Sequence, residues 1–297
     1  MDNPTKTPIR RVDVLKKTLS SESVQEQFKN ALGTNSNSFI ASIIDLYKGD
    51  TSLQSCDPNL VVAQALKAAV LKLPLTKALG FAYIVVYNNP VRMPDGSWQK
   101  VPVPTFIPGY RGYIQLAMRT GQYRTLNADV VYEGELRRVS KLTGEIALDG
   151  EKKSDKIEGY FAYFELLNGY SKTLYVSVDK MAKHAKQYSP GLKNSKEVTV
   201  ESLKILANSA QSTDKVGWLG NFTEMALKTC MRNLLGKWGY LSVEMQSAFS
   251  MDSDEVQESR DNAIAEIRPK HINVEDVPFE EEKPSTESKA ETEETPY

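Results

Sequence analysis

Arg111, Gln115 and Arg119 recur at i, i+4 and i+8 behind Tyr110, with Thr120 and Arg124 just after them. That spacing lines one face of an α-helix, while Tyr113, Ile114, Ala117 and Met118 fall on other faces and can pack. A row of guanidinium groups suits a chain of phosphates, because each cation neutralises one phosphate and releases its condensed counterions. A solvated helix face carries the same residue types, so this row alone does not settle its chemistry. Lys228 and Arg232 form a second row, i and i+4, off the apolar stripe Leu227, Met231, Leu234 and Trp238. With Lys215 the two rows can wall one basic groove. Lys237 also fits the plainer role of a cation at a helix C-terminus. Lys180, Lys183, His184 and Lys186 ride a short helix and read as a solvated face.

Aromatic side chains would complete a single-strand site, since every base has a π-face to stack on. Tyr110, Tyr113, Tyr123 and Tyr132 lie near the first basic row, and Tyr160, Phe161, Tyr163 and Phe164 in a hairpin. Core packing explains most of them equally well. The rival chemistry is hydrolytic. Asp129, Glu133, Glu135 and Asp149 could gather on a sheet as the carboxylates of a magnesium nuclease do, although the first three also fit the outer face of an antiparallel strand. No Gly-rich loop ends in Gly-Lys-Ser/Thr, so there is no ATP-binding signal. Two cysteines, Cys56 and Cys230, and two histidines, His184 and His271, are too scattered for a zinc site.

These residues sit in a chain of 297 with 37 Lys+Arg, 38 Asp+Glu and 40% hydrophobic residues, enough for a substantial core. The formal net charge of −1 hides a segregation. Residues 250–297 hold 15 acidic against 5 basic side chains, net −10, which leaves residues 1–249 with 32 basic against 23 acidic, net +9. A basic body with an acidic tail points to a polyanionic partner and to a tail able to compete for the same surface. The longest mainly apolar stretch, 60–73, is interrupted by Gln64, Lys67 and Lys72 and is too short to cross a bilayer. Residues 1–11 lack a signal-peptide core. Two cysteines without a disulfide framework fit a reducing cytoplasm, and without a secretion signal the glycosylation sequon at Asn221 is read as chance.

Hydrophobic periodicity predicts helices over 12–32 and 39–47, and a helix opened by Asp57-Pro58 and stopped by Pro74. That third helix is apolar on most sides, so it is expected to be buried, with a subunit contact as one way to bury it. A strand is expected over 81–87, a loop or hairpin tip over 88–98, and at best an edge strand over 101–107, where Pro102 and Pro104 intervene. The helix of Arg111 ends at Gly121, and a strand follows over 126–132. Asn168-Gly169 predicts a two-residue hairpin turn with positive φ at both positions. Helices are expected over 178–188, 199–210 and 223–238, with a mobile loop over 189–195. After Met251 the periodicity fades and the chain should be disordered. The fold class is α+β: a mostly antiparallel sheet with hairpins packed by helices, an N-terminal helical lobe and a disordered acidic C-terminal tail.

Three segments together resemble a known family. They are Ser52–Ile84, including Ala68-Ala-Val-Leu-Lys-Leu-Pro-Leu75; Gly109-Tyr-Arg-Gly-Tyr-Ile-Gln-Leu-Ala117 with Arg119-Thr-Gly-Gln-Tyr123 and Val131-Tyr-Glu-Gly-Glu135; and Met225-Ala-Leu-Lys-Thr229 with Arg232 and Lys237-Trp-Gly239. In this order, across about residues 12–249, the chain resembles the RecT family of phage and prophage single-strand annealing recombinases. The resemblance implies a protein of the bacterial host cytoplasm that binds single-stranded DNA and pairs complementary strands without ATP or bond-making chemistry. It implies homo-oligomers, as rings or helical filaments with single strand and annealed duplex in a basic groove. It also implies a 5′→3′ exonuclease and a host single-strand-binding protein as partners, and no membrane. Arg111, Gln115, Arg119, Thr120, Arg124, Lys228 and Arg232 become groove candidates by the match, beside Tyr110 and Lys215. The division expected is 1–11 disordered, 12–80 a helical oligomerisation lobe, 81–249 the DNA-binding core and 250–297 the tail. A passive single-strand-binding protein and a magnesium-dependent nuclease are the alternatives. Within the tail, Val274-Glu-Asp-Val-Pro-Phe279 is an apolar island in acid, resembling the acidic tip of bacterial single-strand-binding proteins. It is a candidate docking arm, against the plainer reading of a solubilising segment.

Overall fold

The computed structural model describes residues 11–92, 96–209, 215 and 217–261, with the backbone alone at 89–92, 190 and 253–261. The expectations for residues 1–10 and for the apolar island at 274–279 lie outside the described residues.

The span read as one helix over 12–32 is two, α1 (Arg11–Leu19) and α2 (Glu22–Leu32). The Ser20 and Ser21 hydroxyls bond back to the Lys16 and Thr18 carbonyls between them, the local competition that makes serine a poor continuation. After α3 (Ser36–Gly49), Asp50 accepts from the Ser52 and Leu53 amides and starts the single turn α4 (Thr51–Gln54). Asp57 caps α5 (Pro58–Val70), with Pro58 at its first position. Among the described residues α5 is covered by its own chain, chiefly α1, α2 and a strand that follows. It ends with the Lys72 amide on the Ala69 carbonyl and the Leu73 amide on Ala68. This is the paired ending that needs a left-handed residue, and Lys72 supplies it at φ 53°.

The hairpin tip and the edge strand expected over 88–107 belong to a ribbon longer than expected, β1 (Ala82–Arg92) and β2 (Trp98–Pro108), antiparallel from Ala82 opposite Pro108 to Arg92 opposite Trp98. The reason lies in parity. The Phe106 amide points out of the ribbon, where it donates to Gln64 Oε1 at 3.0 Å. Pro102, Pro104 and Pro108 share its phase, so each missing N–H faces away from the partner strand. A two-stranded ribbon is all edge, and proline is tolerated on an edge.

α6 (Tyr110–Arg119) starts where β2 stops. A side-chain carbon on Gly109 would lie 2.2 Å from the Gly80 carbonyl, and one on Gly112 2.2 Å from that of Phe81. Both glycines therefore admit a backbone at close range, and it is the chain's own. β3 (Tyr123–Tyr132), β6 (Ile157–Leu166) and β7 (Ser171–Ser177) form an antiparallel sheet in the order β3-β6-β7. Between β3 and β6 the chain makes a small hairpin of β4 (Arg138–Val139) and β5 (Ile146–Ala147). The Asn168-Gly169 turn is present, but only Gly169 has positive φ, at 85°. The Leu166 amide bonds the Tyr170 carbonyl, so the loop is a longer one with a single left-handed glycine.

Helices close the order: α7 (Val178–Tyr188), α8 (Pro190–Lys193), α9 (Val200–Ala207), α10 (Phe222–Trp238) and α11 (Val243–Asp261). The segment expected to be a mobile loop holds α8, tied down by Lys186 Nζ on the Leu192 and Ser195 carbonyls. α10 packs on the sheet face carrying Tyr160, Ala162 and Phe164, all fully buried. Asn221 caps α10 by accepting from the Glu224 amide. α11 continues past residue 250, where the tail was expected to begin, and buries Asp252. The fold is α+β, as expected. Among the described residues no helix is long and apolar enough to cross a membrane.

Candidate nucleic-acid interface

The row on α6 divides by function. Arg111 is exposed at the helix start, its guanidinium 5.7 Å from the Tyr110 ring centre and its Nε donating to the Tyr110 hydroxyl at 3.2 Å. A side-chain carbon on Gly80 would lie 3.2 Å from the Tyr83 hydroxyl and 3.3 Å from Arg111 Cδ, so both side chains border that glycine. Burial pushes the Tyr83 phenol up, with the Glu224 charge adding and Arg111 opposing. Burial likewise raises the Glu224 carboxyl, and Arg111 offsets part of it. Gln115 is half-buried. Arg119 forks onto the Leu71 and Lys72 carbonyls at 2.8 Å each, at the end of α5. The Thr120 hydroxyl bonds the Ala117 carbonyl. Arg124 is exposed and paired with Glu165 at 2.9 Å, the kind of surface pair that contributes only about 0–1 kcal/mol and exchanges partners freely. Lys215 is exposed two residues before Gly217, and a methyl group on Gly217 would lie 3.8 Å from the Tyr87 hydroxyl.

The row on α10 is Glu224, Lys228, Arg232 and Gly236, at i+4 steps. It faces α6 and α11 rather than open solvent. Lys228 is buried, its Nζ 2.5 Å from Asp252 Oδ1. Arg232 Nε lies 2.9 Å from Asp252 Oδ2, and its guanidinium sits 5.5 Å from the Phe249 ring centre. The Tyr113 hydroxyl donates to the same Oδ2 at 2.8 Å. Burial, then the Asp252 charge, pushes the Tyr113 phenol well above its usual range, which keeps it a donor. At the far end of α10, Lys237 and Lys172 lie 4.7 and 5.4 Å from the Trp238 ring centre. An open cavity of about 560 Å³ between α10 and α11 is lined by Arg232, Asn233, Gly236, Lys237, Leu241, Gln246 and Phe249.

Sequence reasoning missed Asp252, because its surroundings read as tail. Its spacing from Met245, Ala248 and Phe249 is a helix-face pattern that could have found it. It placed Tyr113 as a packing or base-stacking aromatic, not as a hydrogen-bond donor to a carboxylate. The α7 cluster separates: Lys183 pairs with Asp179 at 2.7 Å, Lys186 holds α8, and His184 stacks on Tyr188 and Trp218. Burial, then the Arg232 charge, pushes His184 below its usual value. The carboxylates of the nuclease alternative are engaged locally. Glu133 binds Ser154 and Lys156, with the Ser154 hydroxyl first in lowering its carboxyl, and Glu135 accepts from the Tyr132 amide. Among the described residues no three His, Cys, Asp or Glu side chains gather to hold a metal.

A family model described as "RecT family" matches residues 37–266. The chain is 40% identical over 248 residues to "Uncharacterized protein YqaK" of Bacillus subtilis (strain 168), covering 83% of this chain and 74% of that protein. It is 27% identical over 211 residues to "Protein RecT" of Escherichia coli (strain K12), covering 69% of this chain and 66% of that one.

Proposed function

The chain belongs to the RecT family, and from that premise we propose that it pairs complementary DNA strands without ATP, as a homo-oligomer that holds one strand against the basic body of the core. Membership carries single-strand DNA annealing in recombination as the general function. Annealing makes no covalent bond. It needs phosphates neutralised, the strand extended, and base edges left free to test a partner.

The observation that carries the finer reading is the exposed Arg111, bonded to the Tyr110 hydroxyl with its guanidinium 5.7 Å from the ring centre, close to where Tyr83 borders Gly80. A cation beside aromatic faces is what a sequence-tolerant single-strand site requires. Arg124 and Lys215 extend the exposed positive surface, and Lys237 and Lys172 flank Trp238 at the other end of α10. α10 has 17 residues, so its ends are about 25 Å apart at 1.5 Å per residue, room for several nucleotides. An oligomer, ring or filament, would multiply such weak contacts along one strand. A 5′→3′ exonuclease that makes the single strand and a host protein that coats it are the partners such an activity calls for.

Binding of labelled homopolymeric and mixed-sequence oligonucleotides, titrated with salt, tests this reading. Wild-type affinity should be nearly independent of sequence and fall steeply with salt. Arg111→Ala should weaken every sequence alike and lower the salt slope by about one. A loss confined to one sequence, or an unchanged slope, would overturn the phosphate assignment.

A further inference from the structure

We infer that Asp252 is a built-in competitor for DNA phosphate, holding α11 over an anion site made by Lys228, Arg232 and Tyr113 until a single strand displaces it. This rests on the single-strand reading above and adds how the site is regulated.

The site has the composition of a phosphate cradle. One carboxylate receives an ammonium, a guanidinium and a phenol, at 2.5, 2.9 and 2.8 Å. Asp252 offers one negative charge, shared over two oxygens, to both cations. A phosphodiester brings the same charge, likewise on two oxygens, but attached to a strand that can engage neighbouring cations at once. The donors come from α6 and α10, the two helices that carry the basic rows. The occupant comes from a helix seated by one narrow face. Met245 and Ala248 are fully buried, and Phe249 lies against Tyr113 and Gly236.

The seam is already part open. The cavity between α10 and α11 exposes Arg232, whose side chain is 31% accessible where Lys228 is 9%. A strand arriving at Lys237 and Arg232 would meet the rim of the cradle first and Lys228 only after α11 moves. Displacement of the carboxylate by a polyanion exchanges like for like, so the cations are not left bare.

The test uses the full chain. Asp252→Asn keeps the side-chain volume and removes the charge, and should bind a thirty-residue oligo-dT about tenfold tighter than wild type at 100 mM salt. In the wild type, saturation with the same oligonucleotide should speed amide hydrogen exchange in residues 243–252 by tenfold or more. Tyr113→Phe, which leaves no charge unpaired, should speed the same amides without DNA and serves if Asp252→Asn does not fold. Equal or weaker binding by a folded Asp252→Asn, or α11 amides that DNA leaves unchanged or protects, would overturn the latch while leaving DNA binding intact. Absence of binding by both wild type and variant would overturn the single-strand reading, and the latch with it.

Discussion

Replacing Arg119 by alanine separates a structural role from a DNA-binding one. Its two guanidinium nitrogens donate to the Leu71 and Lys72 carbonyls, which α5 leaves without partners within the helix, and they do so beside the left-handed Lys72. A hydrogen bond to a charged group contributes about 1.5–3 kcal/mol when sheltered, and a cation at an exposed helix C-terminus about 0.3–1 kcal/mol. Arg119 is solvent-exposed and only the Leu71 contact is partly buried, so most of the first contribution is lost to screening. The resulting cost of Arg119→Ala is about 1 kcal/mol. For a chain of this size that lowers Tm by roughly 2–4 °C. Arg119→Lys keeps the charge but not the fork, and should lose about half as much. Urea and thermal unfolding of the three proteins, followed by circular dichroism, read the effect. DNA binding well below Tm should keep its salt slope. A stability change under about 0.5 kcal/mol, the level of an unengaged surface residue, together with a slope lowered by about one, would refute the reasoning and return Arg119 to the phosphate surface.

Gly112→Ala drives a methyl group into the Phe81 carbonyl at 2.2 Å and should cost about 1–3 kcal/mol by denaturant titration, whereas Gly121→Ala leaves open space and reports only the strain of its positive φ. Lys72→Gly relieves a left-handed lysine and should raise stability by about 1 kcal/mol in the same assay. His184 lies below its ordinary value of 6.5 because of burial and the Arg232 charge. The unfolded chain therefore binds its proton more readily, and the stability it contributes is full above pH 6.5 and lost as pH falls through the folded value. His184→Gln should show a smaller loss of stability than wild type between pH 7 and 5. An equal loss would remove His184 as a source of the pH dependence.

Much of the frame was legible in local chemistry. Asp57-Pro58 opened α5, and β3 and the sheet hairpin followed their alternation. Elsewhere tertiary context decided. The prolines of β2 counted against a strand because sequence does not show that every one of them has the phase of Phe106, whose amide turns outward. Gly109 and Gly112 are points of close approach, but the approaching backbone, Gly80-Phe81, lies about 30 residues away in sequence. The same holds for the basic rows. Spacing put Lys228 and Arg232 on one helix face, but a helix cannot report from its own sequence what covers that face. The cover is Asp252, 24 residues downstream of Lys228, in a stretch whose acidity reads as tail. Arg111 and Arg119 share a face of α6, yet one meets solvent and the other ends α5, a difference set by distant carbonyls.

Mixing two complementary dye-labelled oligonucleotides with the full chain, without ATP, and following energy transfer reads strand pairing itself. Pairing should run well above the protein-free rate, with both strands recovered intact. Tight binding without faster pairing, or cleavage of either strand, would contradict the annealing function.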